Sequence, residues 1–105
     1  MPIQLWAYER RDGVDRRDLG NTALQLCRIV RRREGITSAK FYWYGTETIV
    51  FLTEGEAAAL NSPGQADQAN YAAAGFAIAD MARLIMNWRL AEPRGGEEAY
   101  RLAGR

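Results

Sequence analysis

A chain of 105 residues with 48% hydrophobic and 26% charged side chains has the balance of one folded domain, not of a disordered tail. Its formal net charge of +1 excludes a bulk field that would draw in nucleic acid or an anionic membrane. Histidine is absent and Cys27 is the single cysteine, which excludes Ser-His and Cys-His nucleophiles, histidine-ligated zinc or haem, thiolate clusters and an intrachain disulfide.

Residues 3–9, IQLWAYE, alternate with the period of a strand. Ile3, Leu5 and Ala7 point one way; Gln4, Trp6 and Tyr8 point the other. A loop around Gly13 leads into a helix predicted from Asp15 or Arg16 to Glu34. Asp15 is its cap, and Asp18 complements the positive N-terminal end. Leu19, Ala23, Leu26 and Val30 recur at helical spacing, and Leu24, Cys27 and Ile29 widen the stripe. Cys27 therefore reads as a small buried hydrophobe. Gly35 stops the helix, with Ile36 beyond it as the apolar contact of a Schellman-type end. Arg28, Arg31, Arg32 and Arg33 crowd the last turns. Cations there complement the helix dipole, so the cluster reads as a solvated, dipole-matched face.

The segment FYWYGTETIVFLTEG, Phe41 to Gly55, reads as a β-hairpin with GTE as its loop. Phe41 and Trp43 share a face, opposite Tyr42 and Tyr44; Ile49 and Phe51 share a face, opposite Val50 and Leu52. EGEAAALNSPGQ is a helical turn and loop, and a second long, alanine-rich helix opens near Ala66. The segment at 83–91 carries two readings. As a strand, Leu84, Met86, Trp88 and Leu90 oppose Arg83, Ile85, Asn87 and Arg89. As a helix, Ile78, Ala82, Ile85 and Arg89 keep a stripe. The strand is the expectation, because its alternation is cleaner and it supplies a fourth partner for a sheet. Pro93 ends it, and GEEAYRLA forms a short C-terminal helix.

The order is that of a ferredoxin-like α+β domain, βαββαβ: a four-stranded antiparallel sheet with both helices on one face. Its core spans about 1–92, and 93–105 form an extension. Two helices leave the other sheet face open, and that face is expected to carry Trp6, Tyr8, Tyr42, Tyr44, Val50, Leu52 and Ile85. A patch of that size is uncommon on a soluble monomer, so something should cover it.

By element order, length, the central hairpin and a sheet apolar on both sides, the chain resembles the dimeric α/β barrel superfamily, in which two ferredoxin-like subunits pack sheet against sheet. The resemblance implies a homodimer through the sheet face. It also implies a role among cofactor-independent monooxygenases, haem-degrading enzymes or small isomerases and dehydratases. The haem branch uses a histidine this chain lacks. The monooxygenase branch lines a pocket with Asn, Trp, Tyr and Arg, types present here in Trp6, Asn87, Trp88, Arg89 and the tyrosines, although no position is matched and no catalytic residue is carried over.

From the residues themselves, Trp6, Tyr8, Tyr42, Tyr44, Asn87 and Arg89, with Gln4, combine aromatic walls and polar tips. They form either a pocket for a small aromatic or enolisable molecule or a dimer interface. No cofactor is expected. Three functions stay open: a cofactor-independent monooxygenase-like or isomerase-like enzyme, a non-catalytic ligand-binding or structural homodimer, and an RNA-binding module. The last is disfavoured by the neutral charge and by the acidic, aliphatic second strand of the hairpin. Glu54 and Glu56 read as surface decoration and Asp80 as an exposed helix residue. The start, MPIQLWAYERR, shows no secretory signal, and no apolar run is long enough to span a membrane, so a cytoplasmic protein is expected.

Overall fold

In the computed structural model, residues 2–61 and 68–90 are described. Strand β1 (Ile3–Arg10) is followed by helix α1 (Arg16–Arg31). Strands β2 (Ile36–Tyr44) and β3 (Thr48–Gly55) form the hairpin, and Gly45 takes φ 67° in the turn between them. The short helix α2 (Ala57–Asn61), helix α3 (Gln68–Met81) and strand β4 (Ala82–Leu90) complete the order. The segment at 83–91 is thus a strand through Leu90 and follows α3 without a break. The expected C-terminal helix and Pro93 lie outside the described residues.

The sheet runs β2-β3-β1-β4, and every adjacent pair is antiparallel. This is the ferredoxin-like arrangement, with β1 and β3 central. Asp15 caps α1 as expected: its Oδ1 accepts from the Arg17 backbone N–H at 2.7 Å. The helix ends at Arg31, three residues earlier than predicted. The Arg32 and Arg33 N–H groups bond back to Ile29 and Val30 at 3.3 and 3.1 Å, tightening the last turn, and Gly35 at φ 85° redirects the chain into β2.

Leu19, Ala23, Cys27 and Val30 of α1 are buried against Ala39, Ile49 and Phe51 of the sheet, with Ile78 of α3 and Ala82 of β4. The period of 3.6 predicted this α1 stripe, but Leu24 lies outside it, 37% exposed. The arginine cluster divides. Arg33 turns inward: its guanidinium sits 5.3 Å from the Tyr71 ring centroid and donates to the Ala59 carbonyl. Arg31 donates to the Ala39 carbonyl of edge strand β2 at 3.3 Å. Arg28 and Arg32 stay at the surface, where Arg28, Arg31 and Arg32 line a shallow depression.

Register corrects the expected open face. Trp6 lies opposite Phe51 and Tyr8 opposite Ile49, whereas Tyr42 lies opposite Val50 and Lys40 opposite Leu52. Residues paired across an antiparallel ladder share a face. Trp6 and Tyr8 therefore face the helices, with Phe41, Trp43, Ile49 and Phe51. Tyr42, Tyr44, Val50 and Leu52 occupy the far face, with Ile3, Leu5, Met86, Trp88 and Leu90. Alternation within each strand was read as the structure has it; the offset between strands was not. A bulge adds a second correction. The β1–β4 register shifts between Ala7 and Tyr8, where Ala7 faces Met86 but Tyr8 faces Leu84. Ile85 is the extra residue, and Leu84 crosses to the face of Asn87 and Arg89.

Candidate functional site

The six expected site residues separate along this register. Tyr42 and Tyr44 lie on the far face, 54% and 78% exposed. Trp6, Tyr8, Asn87 and Arg89 lie on the helix side, where Trp6 faces Asn87 and Gln4 faces Arg89 across the β1–β4 ladder. Gln4 is buried and fully engaged. Its amide nitrogen donates to the Asn87 side-chain oxygen and, at 3.2 Å, to the Trp88 carbonyl; its oxygen accepts from Arg89 Nε at 3.0 Å. The buried amide thereby fixes the orientation of Asn87 and Arg89 at one end of the sheet.

Beside this cluster, between sheet and helices, is a cavity of about 110 Å³. Trp6, Tyr8, Phe51, Ala39 and Thr53 form its floor; Leu26, Cys27 and Val30 of α1 and Tyr71 and Gly75 of α3 form its walls. Strand geometry aims Trp6 and Tyr8 at the same layer, because they are two residues apart. Tyr8 packs edge-on against Phe51, with ring centroids 5.7 Å apart at 89°. On α3, Tyr71 and Gly75 are four apart and share a helix face, so the ring lines the cavity where the glycine leaves room.

The lining is mostly apolar, with a few uncharged polar groups. Among the described residues it contains hydroxyls from Tyr8, Tyr71 and Thr53 and the Cys27 thiol, with no carboxylate, lysine or arginine. Burial pushes the Tyr8 phenol above its ordinary value, and the neighbouring Tyr71 adds to that. Burial likewise pushes the Cys27 thiol up to about 11, against a smaller opposing effect of Arg31. Both groups are therefore neutral near pH 7, and Cys27 is the buried apolar-like residue expected of its place in the stripe. Tyr8 is suited to donate a hydrogen bond to an oxygen that gains negative charge. No group of three or more His, Cys, Asp or Glu side chains placed to hold a metal ion occurs among the described residues. No helix there is long and apolar enough to cross a membrane.

Sequence reasoning missed Thr53 and Tyr71. Thr53 reads as one polar residue in an alternating strand, with nothing to mark which face it takes. Tyr71 carried a weak signal: it is the one large residue in NYAAAG, where small neighbours leave an aromatic ring unobstructed.

No protein-family model matches the sequence, and no curated protein matches it. Solved structures do. A candidate antibiotic biosynthesis monooxygenase from Nitrosomonas europaea superposes with a TM-score of 0.74 at 8% identity, over 90% of this chain and 100% of that one. SnoaB, a cofactor-independent oxygenase from Streptomyces nogalater, gives 0.69 at 7% identity, over 90% and 95%. Rv0793 from Mycobacterium tuberculosis gives 0.66 at 19% identity, over 90% and 98%. At these identities the likeness is one of backbone: the chain shares its ferredoxin-like fold with these structures.

Proposed function

We propose that the cavity between sheet and helices binds a small aromatic or enolisable molecule, and that the chain acts on it as a cofactor-independent oxygenase. One observation carries the reading: Trp6, Phe51 and Tyr71 supply aromatic walls, while Tyr8 and Tyr71, both lining the cavity, make no hydrogen bond through their hydroxyls to another described residue. That is the composition of a small-molecule site, mostly apolar with a few placed polar groups. SnoaB is itself described as a cofactor-independent oxygenase, which supports the reaction class through fold.

In such a reaction a methylene beside a carbonyl loses a proton to solvent water to give an enolate, and water returns a proton when the peroxide forms. The enolate transfers an electron to O₂, and recombination forms a carbon–oxygen bond. The resulting hydroperoxide then loses water to leave a carbonyl, so CH₂ and O₂ become C=O and H₂O. Tyr8 donates a hydrogen bond to the enolate oxygen, which disperses charge that develops only along the reaction. The uncharged lining supplies no strong base, so the substrate must be acidic enough to ionise beside a phenol and a hydroxyl. That same observation favours, as second reading, a binder that performs no chemistry.

The far sheet face is the surface of a homodimer in this proposal. Tyr42, Tyr44, Trp88 and Leu90 are each about half exposed or more, around the half-buried Ile3, Leu5, Val50, Leu52 and Met86. A second copy of the same face covers such a patch isologously.

The test is a panel of single-ring phenols and enolisable ketones, read by oxygen uptake and by tryptophan fluorescence. Trp6 is the only tryptophan lining the cavity, so ligands should quench the wild type, and Trp6→Phe should diminish the response. Quenching without oxygen uptake selects the binder; no quenching anywhere in the panel defeats the cavity as a site.

A further inference from the structure

We propose that the cavity selects an uncharged, single-ring molecule bearing a hydroxyl or carbonyl group, and that Thr53 is the residue that anchors this group. The inference rests on the ligand-binding reading above and names the class of ligand.

Thr53 lies toward the C-terminal end of β3, paired with Gln4 on one side and Ala39 on the other. It is 4% exposed and lines the cavity. Its hydroxyl makes no hydrogen bond to any described residue. The oxygen keeps accessible surface and is not among the buried polar atoms left without a partner. A hydroxyl on a cavity-lining residue that is bonded to no described group can accept or donate a hydrogen bond to a molecule that enters. Tyr8 and Tyr71 present two more, from the sheet and from α3.

Charge is selected against by the same walls. Among the described residues no charged side chain lines the cavity to compensate an ionised ligand, and burial favours the neutral forms of the Tyr8 phenol and the Cys27 thiol. Size follows from volume. A hydrocarbon-lined cavity of about 150 Å³ takes one benzene, so 110 Å³ excludes two fused rings and holds at most a single small ring.

The full chain is titrated with phenol, toluene, benzoate and 1-naphthol at pH 7, followed by calorimetry, for the wild type, Thr53→Val and Thr53→Ser. Wild type should bind phenol more tightly than toluene, and benzoate and naphthol at least about tenfold more weakly than phenol. Thr53→Val should weaken phenol by about fivefold to tenfold, the value of one hydrogen bond, and leave toluene unchanged. Thr53→Ser should keep the phenol preference, which separates loss of the hydroxyl from loss of fold. Equal phenol affinity in wild type and Thr53→Val overturns the anchor. Benzoate binding as well as phenol, or naphthol as well as phenol, overturns the ligand class. Failure of both phenol and toluene to bind the wild type defeats the cavity reading itself.

Discussion

Replacing Trp88 by serine tests the dimer at a position where the folded protomer has little to lose. Trp88 sits on edge strand β4 opposite Leu5, on the far face, and is 57% exposed. A tryptophan buries up to about 250 Å², so roughly 140 Å² of it faces water in the isolated chain. At about 25 cal/mol per Å², covering that area contributes about 3.5 kcal/mol. An isologous interface uses each residue twice, which sets an upper limit of about 7 kcal/mol for the substitution. Incomplete coverage halves this to about 3 or 4 kcal/mol, and each 1.4 kcal/mol is about a factor of ten. Trp88→Ser should therefore weaken dimerisation by between about two and five orders of magnitude. Sedimentation equilibrium across nanomolar to micromolar concentrations measures this directly, with circular dichroism to show that the protomer stays folded. Two results refute the reasoning: a wild-type protein of 11.8 kDa at tens of micromolar, or a Trp88→Ser dimer with the wild-type constant.

Two further outcomes follow from packing and titration. Cys27, 3% exposed with its thiol raised from 9.0 to about 11, binds its proton more tightly folded than unfolded. Its contribution to stability is complete below pH 9 and is lost as pH rises through 11. The loss is roughly 3 kcal/mol, measured by urea unfolding at pH 8 to 11; Cys27→Ala should flatten that slope. Tyr8, also raised from its ordinary value of 10.0, adds a loss of the same sign as pH rises above that value. Gly55 stands where a Cβ would meet the Gly35 carbonyl oxygen at 2.6 Å and the Ile36 side chain at 2.9 Å. Gly55→Ala should cost about 1–3 kcal/mol by thermal or urea unfolding, since backbone must move to admit it. An unchanged midpoint would mean that this end of the hairpin yields freely.

Within each strand, side-chain alternation was readable because it is a local period of two. Ile3, Leu5 and Ala7 do oppose Gln4, Trp6 and Tyr8, and Phe41 and Trp43 do oppose Tyr42 and Tyr44. What local pattern lacks is the offset between strands. A one-residue slip moves a whole strand's side chains to the other face, and here both faces of the hairpin are apolar, so hydrophobicity favoured neither register. That is why one imagined face held Trp6 beside Tyr42. The bulge at Ile85 was equally silent, since an extra residue leaves no mark on composition. The pair Asn87 and Arg89 was readable as a polar feature of β4, but its anchor was not, because Gln4 meets them only through an 83-residue separation. The fold itself followed from element order, which needs no register.

Gly75 is where stability and site pull apart. It lies inside α3, four residues after Tyr71, and a Cβ added there would meet nothing within 4 Å. Alanine in a helix interior is more stable than glycine by about 0.5–1 kcal/mol, so the helix forgoes that much without any steric reason. The space left open belongs to the cavity lining, beside Tyr71. Gly75→Ala should therefore stabilise the protein by about 0.5–1 kcal/mol, seen as a rise of a few degrees in Tm, while phenol binding is largely kept. Gly75→Leu places a branched side chain at the wall and should weaken phenol by more than about tenfold, with Tm followed alongside to show that the fold is kept. If Gly75→Ala lowers Tm, the glycine serves the backbone and not the cavity. If Gly75→Leu binds phenol like the wild type, ligands do not occupy the space between Tyr71 and Trp6, and the site must be sought at the Gln4, Asn87 and Arg89 end of the sheet.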